Sequence, residues 1–174
     1  QGLIGRGIDC SILVLNNRHS RALDEWYDFE GIPVHRVHYR SERRTAWRDV
    51  FDVRICREVR KALREIKPDL VHIHNVSGAT LAPHIACRTA GVPVINTLHD
   101  LWLLCPNNML YRSDGSFCDP RRQARSCDQC FRRYDYWGDV PNRRSEFSFL
   151  PSNTTFVSPR KALIERHVEA GYNR

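Results

Sequence analysis

Apolar and polar positions along this chain change period several times, and each change marks an element. DCSILVL (9–15) is a short apolar run after a glycine, the pattern of a buried strand. LDEWYDFEG (23–31) reads as a short helix stopped by Gly31, and PVHRVHY (33–39) alternates like a strand. A long amphipathic helix is expected over 47–69, with Val50, Val53, Ile55, Val59, Leu63 and Ile66 near one stripe and Pro68 ending it at Lys67. DLVHIHN (69–75) reads as a strand, SGATLAPHIACRTAG (77–91) as a helix capped by Ser77 and stopped by Gly91, and PVINTLH (93–99) as a further strand. Pro83 sits awkwardly in the second turn of that helix. Near the end, NTTFVS (153–158) predicts a strand, followed by a helix with Ser158 as N-cap, Pro159 at its first position and Gly171 as its stop.

Strand–helix–strand alternation with apolar strands implies a parallel sheet covered on both faces. The expected fold is therefore α/β, a doubly wound Rossmann-like sheet. It forms one domain over 1–174, with a cysteine-rich loop at about 101–137. A phosphate-binding domain of this kind opens with a strand and a Gly-rich loop. Here Gly2, Gly5 and Gly7 precede the first apparent strand in the wrong order for that loop, and read as a helix C-terminus and turn. The first strand and its loop are expected upstream.

Composition narrows the class. Hydrophobic residues make up 41% and charged residues 27%, an ordinary globular balance. No apolar run reaches the roughly 18 residues of a membrane span, and the start lacks a secretory layout, so the expected location is cytoplasmic. The net charge of +7 comes largely from arginine, gathered at 40–48 and 121–133. A solvated face is the default reading of such runs; an anionic ligand, an anionic membrane surface and nucleic acid are the functional ones.

Ligands of parallel sheets sit beyond the C-terminal ends of the strands. His74 and Asn75 end one strand, and His99 and Asp100 end the next, so both pairs are expected on one edge. His72 lies two residues before His74, on the same strand face. Asp100 is a candidate to orient the His99 imidazole.

KPDLVHIHNVSG, then AGVPVINTLHDLWLLCP, YRSDGSFC and CDQC, resemble retaining glycosyltransferases of the group 1 type, family 4. RGIDCSILVL is similar to that family's second strand, and FVSPRKALIERHVEAGYNR to its strand and helix before the domain crossover. The resemblance covers nearly the whole chain. It implies the N-terminal, acceptor-side domain of a GT-B fold, whose second domain holds most of the nucleotide-sugar donor. It also implies that His99 is the cleft histidine that stabilises charge as the glycosyl–phosphate bond breaks, with His74, Asn75 and Asp100 as substrate-binding neighbours. No two glutamates have the family's E-x7-E spacing, as expected if the second domain lies elsewhere; the chain alone should then not catalyse transfer. The implied partners are a nucleotide-sugar and a carbohydrate or lipid-linked acceptor, in polysaccharide or glycolipid assembly, with peripheral contact at the inner face of an anionic membrane and no nucleic acid.

Cys105, Cys118, Cys127 and Cys130 have the spacing C-x12-C-x8-C-x2-C in a turn-rich run. Four thiolates with a chelating C-x-x-C suit a structural zinc, which could organise a loop with little core of its own. Free thiols, a disulfide framework, a redox pair and an iron–sulfur cluster remain as alternatives. A similar cysteine-bearing loop follows the "HD" strand in subsets of the resembled family. Ser158–Lys161 matches S-x-x-K, but the helix cap accounts for it. Trp102 is expected in the packing, and the sequons at Asn75 and Asn153 abut strands. The rival functions are a zinc-stabilised basic nucleic-acid-binding module, whose affinity would fall steeply with salt, and a protein-interaction domain that kept the fold.

Overall fold

A computed structural model describes residues 2–16, 24–38, 51–75, 80–105, 108–112, 114–119, 150 and 152–172. The chain opens with a 3-10 turn, Ile4–Arg6, closed by Gly7 in the left-handed region. Six strands and three α-helices follow among the described residues. The strands are β1 (Ile12–Asn16), β2 (Glu25–Phe29), β3 (Ile32–His38), β4 (Val71–Ile73), β5 (Val94–Thr97) and β6 (Thr154–Val157). The helices are α1 (Val53–Ile66), α2 (Ala82–Ala90) and α3 (Lys161–Glu169). The strands form two three-stranded sheets, ordered β1-β3-β2 and β4-β5-β6. The second sheet is wholly parallel, with Ile73 opposite Asn96 and Asn96 opposite Phe156.

In the first sheet β1 and β3 are parallel, but β2 runs antiparallel to β3. This overturns the helix expected over 23–31. Glu30 and Gly31 both have positive φ, 52° and 82°, which makes the two-residue connection a hairpin turn whose twist matches the strands. Gly31 donates its N–H to Asp28 Oδ1 at 2.8 Å, so it closes a hairpin and does not stop a helix. Cross-strand pairs supply what the local pattern could not show. Trp26 stacks on His35 at 4.0 Å, while Arg36 pairs with Glu25 and lies 4.9 Å from the Tyr27 ring centre.

α1 begins later than the periodicity suggests. Asp52 caps it by accepting from Arg54 N–H at 2.8 Å, and Lys67 closes it with φ 50°, just before Pro68. Ile55 and Val59 are buried as expected, but Val53 and Ile66 are exposed, and Cys56 and Ala62 take their places on the buried stripe. α2 starts at Ala82, so Pro83 falls in its first turn, where a missing N–H costs nothing. Leu81 holds the N-cap position without a side-chain cap bond, Thr80 Oγ1 accepts from Ala82 N–H at 3.1 Å, and Ser77, the expected cap, lies outside the described residues. Before α3, Ser158 is not the N-cap: Arg160 occupies that position, and Ser158 Oγ accepts from Arg160 N–H at 3.2 Å. The end of α3 is a Schellman turn, with Tyr172 N–H on His167 O and Gly171 N–H on Val168 O.

Two buried clusters hold these elements. Ile55, Cys56, Val59, Ala82 and Ala86 join α1 to α2 and pack on Leu13 and Leu15 of β1. The second cluster centres on β4, β5 and the segment 98–105, and includes Trp102, only 3% exposed, as expected of a packing residue.

Candidate functional site

β4 and β5 are neighbours and parallel, so their C-terminal ends open onto one edge. Ile73 points into the core at 8% exposure, so His72 and His74, on either side of it, take the opposite face. The His72 and His74 rings lie 4.1 Å apart, and the His74 and His99 rings 5.6 Å apart. His74 Nδ1 meets His99 Nε2 at 3.3 Å. His72 Nε2 meets Thr97 Oγ1 at 2.7 Å, so β5 braces the far end of the row as well. All three histidines are exposed to solvent. The His72 imidazolium is disfavoured, first by partial desolvation and then by positive charge on His74 and His99, which holds its pKa below the ordinary value.

The sequence placed His74 and His99 on one edge, and the structure brings them into contact. Asn75, the next residue, is exposed at the same strand end. Asp100 behaves differently from the expectation that it orients His99. Its Oδ1 accepts from Trp102 N–H at 2.9 Å and its Oδ2 from Asn108 Nδ2 at 3.4 Å, so the carboxylate closes the turn over 101–104. His74, not Asp100, is the ring partner of His99. Thr97 was missed as a member of the row, although its position in T-L-H-D, two residues before His99, was a usable signal.

Two more histidines lie beneath the site. His84, fully buried on α2, bonds through Nε2 to Asn96 Oδ1 at 3.2 Å, and burial pushes its pKa down to about 4. His167 on α3 donates from Nδ1 to Leu163 O at 2.9 Å, and its pKa is also lowered by burial, against the opposing pull of Leu163 O and Asp100. Both are neutral structural histidines.

Of the four cysteines proposed as metal ligands, Cys105 is buried and Cys118 half-buried on the same apolar cluster. They bracket the Tyr111–Phe117 bridge, and Cys118 N–H bonds to Leu110 O. Cys127 and Cys130 lie outside the described residues, as do the arginine clusters at 40–48 and 121–133. Among the described residues no disulfide forms and no three His, Cys, Asp or Glu side chains are gathered as a metal site.

The model of the glycosyl transferase 4-like domain matches residues 1–136, more than three quarters of the chain. The chain belongs to the glycosyl transferase 4-like family. Its match takes in β1 to β5, the histidine row and all four cysteines of the cysteine-rich loop. Among curated proteins it is similar to an uncharacterized 42.6 kDa protein in the cps region of Klebsiella pneumoniae, 32% identical over 65 residues. That alignment covers 37% of this chain and 17% of the Klebsiella protein, so the chain matches only a small part of its relative. No solved structure matches significantly. The domain is thus a glycosyltransferase domain with a mixed α/β architecture and a parallel sheet at its site. No helix among the described residues is long and apolar enough to cross a membrane.

Proposed function

We propose that this domain is the acceptor-side, N-terminal half of a retaining GT-B glycosyltransferase, doubly wound in architecture. It moves a sugar from a nucleotide-sugar donor to a carbohydrate or lipid-linked acceptor. The observation that carries this reading is the histidine row at the C-terminal edge of a parallel sheet, in a chain of this family. That edge is where such folds receive ligands. His99 is the donor-facing residue. An imidazole N–H aimed at the phosphate oxygens would stabilise the negative charge that grows as the glycosyl–phosphate bond breaks. Asn75 and Asp100 are its neighbours in the cleft, Asp100 acting through the turn that it closes.

Polysaccharide or glycolipid assembly is the proposed setting, a reading supported by the Klebsiella relative's description as a protein in a cps region. The arginine-rich segments would meet an anionic acceptor or the inner face of a membrane, with the protein cytoplasmic and in peripheral contact. We also propose a structural zinc on Cys105, Cys118, Cys127 and Cys130. Its support is the four-thiol spacing and the seating of the first two cysteines on one cluster.

The test is His99→Ala, assayed for transfer with the second domain present. Removal of one preorganised donor to a developing oxyanion should lower turnover by roughly 100-fold or more, with the circular dichroism spectrum unchanged. Unchanged turnover would remove His99 from the cleft.

A further inference from the structure

His99 is exposed, so no wall of packed side chains holds its ring. Something else must set which of its nitrogens carries the proton and where that nitrogen points. Asp100, the adjacent carboxylate, is spent on Trp102 N–H and Asn108. The His99 ring meets His74, at 3.3 Å between Nε2 and Nδ1 and with rings inclined by 26°.

We propose that His74 is a positioning residue for His99, holding its ring in one tautomer through the Nδ1···Nε2 hydrogen bond, while His72, pinned by Thr97, backs the His74 ring. A bond between two neutral imidazole nitrogens needs one N–H and one bare lone pair, so fixing the state of one ring fixes the other. His72 contributes from behind. Its Nε2 is tied to Thr97 Oγ1 at 2.7 Å, and its ring lies 4.1 Å from that of His74, which limits the angles His74 can adopt. The order along the edge is therefore Thr97, His72, His74, His99, a chain of contacts that begins on one parallel strand, crosses to the next and returns. Its last member presents Nδ1 in a defined state to whatever occupies the cleft. Two imidazolium rings would both be donors and could not make this bond, so double protonation breaks the relay.

This inference rests on His99 being the donor-facing histidine, as proposed above; without that role, the relay would still exist but would orient nothing that reacts. The experiment reads ring nitrogens and needs neither sugar nor nucleotide. The chain is labelled with nitrogen-15 in its imidazoles, and tautomers are read by nuclear magnetic resonance well above the ordinary histidine pKa of about 6.5. His99 should occupy one tautomer in the unaltered chain, a mixture of two in His74→Ala, and again chiefly one in His74→Gln, whose amide offers both a donor and an acceptor. His72→Ala should give a partial mixture. A mixture at His99 in the unaltered chain, or an unchanged single tautomer in His74→Ala, overturns the proposal; the first of these needs no variant to fold. If His99→Ala abolishes transfer while His74→Ala leaves the tautomer alone, the relay fails and the transferase reading stands. The reverse pair of results would keep the relay and remove the catalytic role.

Discussion

Histidines in this domain divide by burial, and burial decides what each one can do. His72, His74 and His99 stand in solvent and keep ring nitrogens for ligands and for each other. His84 is sealed in, with its Nδ1 lacking a partner and its Nε2 on Asn96. Its folded pKa of about 4 lies below the ordinary 6.5. In the window between those values the unfolded chain binds a proton that the folded chain refuses, so stability falls as pH falls through it. A drop from about pH 7 to about pH 5 should cost on the order of 2 kcal/mol through His84. His167, shifted in the same direction, adds to that loss. Urea unfolding at the two pH values checks this, and His84→Gln should show a clearly smaller difference. An equal pH dependence in that variant would assign the effect to other groups. The five-letter pattern V-H-I-H-N announced a strand end rich in histidine, but the fully buried state of His84 was not legible, because A-P-H-I-A reads as an ordinary helix.

Elements with strong local signals came out as their patterns suggest. β4 and β5 are short apolar runs between turns, and α1 shows the stripe that buries Ile55 and Val59. β2 did not, because E-W-Y-D-F satisfies a helical and a strand template about equally at that length. Its state is settled by partners on β3 and by a turn that accepts positive φ at Glu30 as well as Gly31. The cysteine-rich loop poses the same problem in another form. Its described part carries a two-residue bridge, Tyr111 with Phe117, and a turn at Gly115 with φ 81°. Elemental analysis should find about one zinc per chain, and chelation should release four thiols, as a closed four-thiolate site requires. Cys105→Ser should then lose the metal and loosen this loop. Absence of metal with freely reactive thiols would leave packing on Leu110 and Leu104 as the only organiser.

For the whole molecule, the decisive feature is that two sheets share their helical packing. Leu63 of α1 and Ile85 of α2 touch both buried clusters, so neither cluster can open without disturbing the other. Thermal or urea unfolding should therefore be a single transition, coincident by tryptophan fluorescence and far-ultraviolet circular dichroism. Leu63→Ala should lower stability by about 2 kcal/mol and move both signals together. Separate midpoints would mean that the sheets are independent units. The excess of positive charge does not enter this coupling, since charge governs encounter and solubility more than fold.

The sequence by itself determined the periodic elements, the sheet edge on which His74 and His99 meet, and the glycosyltransferase resemblance that the family match confirms. Those follow from local spacing, which survives in one dimension. Tertiary structure decided that β2 pairs antiparallel with β3, that Asp100 serves its own turn, that Thr97 pins His72, and that His74 touches His99. Each depends on atoms brought together from separate segments, and the distance between two side chains at neighbouring strand ends is set by register, which no single stretch encodes.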